Sequence, residues 1–266
     1  MVLAFLVGNS NLRLQLSEAG GEPRIADSIP WREWDARRAE WTERLQGLPV
    51  SAAIAGSVRD DLLEGVEAAL PAGTGPIQRA GVDFPLPIEN RYERPAEVGI
   101  DRLLNAVAAA RRARRDAYGG ELAGAARASI VVDFGSALSI SVVGADGAFL
   151  GGLITAGDRA LLDGLHLAAP RLPRVEAARP GGFLERTTRQ NIESGSYWAM
   201  VGAVRTLLEG MVRELSSREP LQVAPLILAT GGGASRFAAD VPAIGEVVPD
   251  LTFEGLHAAY NARPQP

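Results

Sequence analysis

Apolar residues run without a break over Val2–Val7. Beyond the turn Gly8-Asn9-Ser10-Asn11 they alternate, Leu12, Leu14 and Leu16 being separated by Arg13, Gln15 and Ser17. A continuous apolar run followed by period-two alternation predicts a β-hairpin with a buried first strand and a half-exposed second one. The unit returns at residues 130–134, where an apolar run reaches Gly135-Ser136 and Leu138, Ile140 and Val142 then alternate with Ser139 and Ser141. With Leu6 laid over Asp133, Gly8 falls on Gly135 and the alternating strands are expected to coincide. One strand, glycine turn, strand element in each half predicts a duplicated architecture.

Between the two hairpins the pattern reads as mainly helical. Residues 97–115 form a long alanine-rich helix, which Tyr118-Gly119-Gly120 closes in the manner of a glycine C-cap. The domain boundary is therefore expected near residue 120. Residues 1–120 form an N-terminal lobe with a phosphate hairpin and a substrate segment; residues 121–266 form a C-terminal lobe with a second phosphate segment and a glycine turn. In the second half Gly151-Gly152 and Gly157 punctuate a turn, residues 188–208 read as a helix and 225–229 as a buried strand. That strand runs into Thr230-Gly231-Gly232-Gly233-Ala234, after which residues 235–239 resume a helical pattern. Strands and helices mixed in both halves predict an α/β fold of two similar lobes with a cleft between them.

Composition narrows the chemistry more than the class. The chain has 266 residues, 47% of them hydrophobic, enough to bury a sizeable core. Its 27 basic residues are all arginine, so a Walker A lysine, a kinase strand lysine and a Schiff base are excluded. Cysteine is absent, and the histidines, His166 and His257, stand far apart in sequence, so thiolate and cysteine-zinc chemistry is excluded too. Carboxylates, hydroxyls, arginines and backbone remain. A net charge of −5 argues against a general nucleic-acid binder, and Arg111, Arg112, Arg114 and Arg115 read as the solvated end of an amphipathic helix. No apolar stretch approaches a membrane span, and the opening residues carry no basic leader or cleavage site, so a cytoplasmic protein is expected.

Two constellations carry candidate chemistry. A glycine turn between strands brings backbone N–H groups close to a ligand, and the small polar side chains of Asn9, Ser10 and Ser136 beside it can bond phosphate oxygens. Two matching turns, with the triple glycine 231–233 entering a helix whose N-terminus favours anions, point to a nucleotide held between two lobes. The second constellation is the segment 92–102, Tyr-Glu-Arg-Pro-Ala-Glu-Val-Gly-Ile-Asp-Arg. Pro95 suits a first helical turn, but Gly99 interrupts it at a cost of about 1 kcal/mol against alanine, which close approach of a ligand would explain. Asp101 can then take a proton from an attacking hydroxyl while Arg102 pairs with phosphate or carboxylate oxygens.

Taken together, these segments resemble the type III pantothenate kinases, of the acetate and sugar kinase, chaperone and actin superfamily. The family's DxGNT opening followed by a basic residue appears as Leu6-Val7-Gly8-Asn9-Ser10 with Arg13, its YxNPxxxGxDR segment as residues 92–102, and its DFGTA segment as Asp133-Phe134-Gly135-Ser136-Ala137. Gly151-Gly152-Leu153-Ile154, Leu172-Pro173, a TxxxxxxG helix at residues 188–195, Thr230-Gly231-Gly232 and Gly255-Leu256 follow in order, so the likeness runs through nearly the whole chain. Leu6 departs from the pattern's aspartate, Arg94 from an asparagine, Ser141 from an acid and Ala156 from a proline.

The resemblance implies a duplicated actin-like, ribonuclease H-like two-lobed kinase fold. It also implies ATP-dependent phosphorylation of pantothenate at its terminal hydroxyl, the first step of coenzyme A biosynthesis, in a homodimer using Mg²⁺ and a monovalent cation, K⁺ or NH₄⁺. Carried over by position, Asp101 is the proton acceptor. Tyr92, Gly99, Ile100, Arg102 and Thr188 contact pantothenate, Gly8, Asn9, Ser10, Arg13 and Ser136 hold ATP, and Asp133 binds the monovalent cation. Two other readings stay open at this point: a catalytically weak or inactive paralogue acting as a ligand-binding or regulatory accessory protein, which Leu6 favours, and a kinase for another small hydroxy compound. The pair Asp101-Arg102 favours the enzyme, since a scaffold has no use for a base beside an arginine.

Overall fold

The computed structural model describes residues 1–18, 21, 23–119, 126–218 and 220–264. They form two compact units, one of Met1–Ala108 with Leu251–Pro266 and one of Ala109–Asp250. The glycine cap reaching Gly120 and the boundary near residue 120 fall outside the described residues.

The first unit holds strands Val2–Val7 (β1), Asn11–Ser17 (β2), Pro23–Pro30 (β3), Ala52–Ser57 (β4) and Ile77–Arg79 (β5), in the order β3-β2-β1-β4-β5. The pairs β1/β2 and β2/β3 are antiparallel, whereas β1/β4 and β4/β5 are parallel. The second unit repeats this with Ser129–Phe134 (β6), Ala137–Val143 (β7), Phe149–Ala156 (β8), Leu226–Thr230 (β9) and Glu246–Val247 (β10), in the order β8-β7-β6-β9-β10 with the same directions throughout. Order and direction agree strand for strand, so the fold is α/β and duplicated, of the actin-like kind.

Helices Trp31–Leu45 (α1), Leu63–Glu67 (α2), Ile100–Gly119 (α3), Asp158–Ala168 (α4), Thr188–Arg218 (α5), Ala234–Phe237 (α6) and Leu251–Asn261 (α7) cover these sheets. Because side chains alternate across a strand, β1 feeds two cores at once. Leu3, Phe5 and Val7 pack with Trp34 and Trp41 of α1, while Val2, Ala4 and Leu6 pack with Leu104 of α3 and Phe253, Leu256 and Tyr260 of α7. An unbroken apolar run is what a strand buried on both faces requires. In the second unit Ile130, Val132 and Phe134 of β6 pack on Tyr197, Val201 and Val204 of α5.

Several expectations need correction. The polar face of β2 is not solvated, for Gln15 and Ser17 are buried beneath α7; Ser17 Oγ lies 3.4 Å from His257 Nε2, and the Arg13 guanidinium lies 5.1 Å from the Phe253 ring centroid. The two hairpins coincide only when one residue is taken out of the first turn, because Leu6 pairs with Arg13 but Asp133 with Ser139. The stretch between the hairpins is not mainly helical: it contributes β3, β4 and β5, three of the first sheet's five strands. Gly151 and Gly152 lie inside β8, at a register shift, with φ of 117° and 148°. There Gly152 lies so close to the Ile140 carbonyl that no Cβ fits.

Burial holds the His257 imidazole below its ordinary pKa of 6.5. In the unfolded chain it takes a proton near 6.5, so the stability tied to its neutrality is complete above that pH and is lost as the pH falls toward the depressed value. Urea unfolding from pH 7.5 to 5 should therefore lose stability below about pH 6.5 with a slope of at most ~1.4 kcal/mol per pH unit from this group. His257→Gln should flatten that slope.

Candidate functional site

The turn between β1 and β2 consists of Gly8, Asn9 and Ser10, the last two exposed. The Gly8 N–H donates to Asn11 O at 3.1 Å, closing the turn. From behind, the Trp31 indole donates to Gly8 O at 2.8 Å and the Trp31 N–H to Ser10 O at 3.1 Å. Sequence reasoning missed this brace; an aromatic opening α1 is its trace in the chain. Leu6, the departure from the acidic pattern, is 9% exposed in the apolar core, and a Cβ on Gly56 would meet both Leu6 Cδ2 and Leu104 Cδ1. The end of β1 and the first turns of α3 are thus neighbours.

At the start of α3 the structure revises the role of Gly99. Pro95 opens a separate 3₁₀ turn, Pro95–Glu97, and Gly99 stands just before the helix rather than inside it. Its carbonyl accepts from the N–H groups of Arg102 at 3.1 Å and Leu103 at 3.3 Å. The Asp101 carboxylate folds back over this terminus, accepting from the Arg102 N–H at 2.9 Å, and a Cβ on Gly99 would come within 2.5 Å of Asp101 Oδ1. Glycine thus leaves room for the protein's own carboxylate in this position, and Asp101 profits from the positive end of the helix. Asp101 is exposed, whereas Arg102 is 8% exposed. Burial lowers the Arg102 pKa from its usual value, and the nearby Tyr92 and Asp101 work against that shift. Tyr92, Gly99, Ile100, Asp101 and Arg102 thus form one local cluster of a carboxylate, a guanidinium and a phenol, with Ile100 packed against the apolar core beneath.

In the second unit the turn from Asp133 to Ser136 is gripped from two sides. Gly157, just ahead of α4, presses on its backbone: a Cβ there would lie 2.4 Å from Gly135 O and 2.7 Å from Ser136 O. Gly231, with φ of 87°, lies against the Asp133 carboxylate, where a Cβ would come within 2.4 Å of Oδ1, and the Gly233 N–H donates to Phe134 O at 3.0 Å. Ser136 is exposed at the tip of the turn. The helix that follows the triple glycine is a single turn, Ala234–Phe237, so the expected anion-favouring helix terminus is not there. Thr188 is exposed at the first position of α5, which Thr187 caps by accepting from the Gln190 N–H at 3.3 Å.

Among the described residues, no three acidic or imidazole side chains gather as a metal cluster. A cavity of about 440 Å³ between β8 and the C-terminal half of α5, lined by Leu150, Met211 and Leu215 among others, contains none of the site residues above. Its lining is mainly apolar.

Comparison with known proteins identifies relatives along most of the chain. Residues 2–210 match the family model described as type III pantothenate kinase. The chain is 38% identical over 231 residues to a type III pantothenate kinase of Paramagnetospirillum magneticum, covering 84% of this chain and 80% of that one. It is 32% identical over 278 residues to one of Thermomicrobium roseum, covering 98% and 97%. Among solved structures, a Baf family protein from Campylobacter jejuni shares the fold with a TM-score of 0.55 at 15% identity, over 97% of each chain.

Proposed function

Because the chain belongs to the type III pantothenate kinase family, we propose that Asp101 is the base and Arg102 the substrate clamp of its reaction. The activity is ATP-dependent transfer of a phosphoryl group to pantothenate, in coenzyme A biosynthesis. The observation that carries the residue assignment is the Asp101 carboxylate poised at the N-terminus of α3 beside the buried Arg102.

In this reading Asp101 takes the proton of the terminal hydroxyl as its oxygen attacks the γ-phosphorus, the bridging P–O bond breaks, and ADP leaves with the electron pair. Arg102 pairs with the pantothenate carboxylate, and Tyr92, Gly99, Ile100 and Thr188 shape the rest of its pocket. The turn Gly8-Asn9-Ser10, Arg13 and Ser136 hold the nucleotide, for which the exposed turn tips and their braced backbones are suited. The divalent metal that accompanies ATP neutralises phosphate charge when bound. Leu6 offers it no carboxylate. Asp133, kept open by a neighbouring glycine with no Cβ, is the acid suited to the monovalent cation, K⁺ or NH₄⁺.

A homodimer in the cytoplasm completes the reading. Tyr197, Met200 and Val201, apolar residues of α5, lie in the second unit's own core and give no support to it. The exposed Leu153, Ile154, Phe183 and Leu184 do. For the location, among the described residues no helix is long and apolar enough to cross a membrane.

Coupled measurement of ADP release with and without pantothenate tests the function. Release should depend on pantothenate and on a divalent cation, with a phosphorylated pantothenate as product. ATP turnover indifferent to pantothenate, with no such product, would overturn it.

A further inference from the structure

The two elements that grip the Asp133–Ser136 turn are themselves joined. Asp158, the first residue of α4, directly follows Gly157; Arg236 lies in α6, directly after the glycine turn 231–233. Arg236 Nη1 meets Asp158 Oδ2 at 2.5 Å, with the side chains 31% and 23% exposed. Each partner is fixed locally. The other oxygen of Asp158 accepts from the Arg159 N–H at 2.7 Å, the Arg236 N–H donates to Gly233 O at 3.0 Å, and the Tyr197 hydroxyl, 2.5 Å from Asp240 Oδ2, lies 2.8 Å from Arg236 O.

We propose that the Asp158–Arg236 ion pair is a clamp that positions the second phosphate turn for the nucleotide. The inference rests on the reading that Ser136 holds ATP, and neither residue touches the nucleotide in it; both act through Gly157 and Gly231. Gly157 meets the backbone of the turn, while Gly231 lies against the Asp133 carboxylate and the Gly233 N–H holds Phe134 O. These contacts fit each jaw to the turn but do not join one jaw to the other. A charge-assisted bond between groups anchored to their own helices supplies the missing tie, and partial burial protects it from the screening that makes exposed pairs nearly worthless. Without it, the turn samples wider geometries and the nucleotide must bear the cost of ordering it.

The test compares Asp158→Asn, Arg236→Gln and Arg236→Lys with Ser136→Ala in the full-length protein. Calorimetric Kd for a non-hydrolysable ATP analogue is measured beside KM for ATP, KM for pantothenate, kcat and Tm. Asp158→Asn and Arg236→Gln should each weaken analogue binding and raise KM for ATP by about tenfold, within the usual range of coupling between interacting residues. They should leave KM for pantothenate and kcat near wild type, and Arg236→Lys should restore part of the loss. The double variant should be no worse than either single one. If Ser136→Ala weakens nucleotide binding and the pair variants do not, the clamp is refuted and the nucleotide reading stands. If none of the four does so, both fail together. Parallel loss of Tm, kcat and both KM values, unrelieved by lysine, would make the pair a merely structural contact and also refute the clamp. Asp158→Asn, which keeps the size of the side chain and removes only its charge, decides the matter should the arginine variants not fold.

Discussion

Asp101→Asn should lower pantothenate-dependent turnover by a factor of about 10²–10⁴, the usual worth of a positioned general base. The substitution keeps the size of the side chain and can keep the hydrogen bond from the Arg102 N–H, because the asparagine amide oxygen accepts as the carboxylate does. What it removes is the ability to take the hydroxyl proton. The charge at the helix N-terminus goes as well, but that accounts for at most a few tenths to 1 kcal/mol at an exposed position, too little to mimic the loss of a base. Nucleotide affinity should hardly change, since the carboxylate belongs to a different segment from the phosphate turns. Single-turnover kinetics with saturating ATP, together with a titration of an ATP analogue, separate the two effects. Turnover near that of the wild type would remove Asp101 from proton transfer.

Leu6→Asp should destabilise the protein and bring no gain in rate. Laid on the family pattern, the position invites a carboxylate near the metal. The side chain, however, packs with Ile54, Leu104, Phe253 and Leu256, and it also lies against Gly56. An ionised group there loses its hydration, a penalty of about 3 kcal/mol or more that the cross-strand Arg13, stacked on Phe253, offsets only in part, or it stays protonated and still leaves polar atoms in an apolar core. Thermal unfolding should drop by roughly 6–12 °C for a chain of this size. Initial rates across a Mg²⁺ titration should stay at or below those of wild type. A folded Leu6→Asp protein with enhanced metal-dependent turnover would mean that the side chain turns toward the nucleotide, against the packing found here.

How much of this was legible in the chain depended on whether one residue's pattern could be read without its distant partners. The hairpins β1/β2 and β6/β7 were legible because apolar alternation and a glycine turn are local signals. Strand β4 was not: its sequence Ala-Ala-Ile-Ala-Gly-Ser has weak β-propensity, and it is a strand because β1 lies parallel beside it. Strand β5 is three residues long, too short for any periodicity. Gly99 was correctly marked as needing a reason, yet the reason is the carboxylate two residues on, visible only once α3 is known to begin at Ile100. Likewise Gly157 and Gly231 read as turns, and their closeness to one another's target is a product of the sheet. The segment 92–102 was legible as chemistry because its acid, arginine, glycine and tyrosine are contiguous. The Trp31 brace and the Asp158–Arg236 pair unite residues 23 and 78 positions apart, and no local signal joins them.

The last helix has a consequence for how the chain is made. Nine of its residues are buried, and Gly255 lies so close to the Leu104 carbonyl that a Cβ there would be only 1.9 Å from that oxygen. Strand β1 leaves the ribosome before α7, with the whole second unit between them, so one apolar face of β1 waits for that unit to be synthesised before it is covered. The second unit, continuous from Ala109 to Asp250, has no such wait. Domains generally fold as units and in order of synthesis; here the unit whose synthesis begins earlier is the one completed later, because the other is inserted in it.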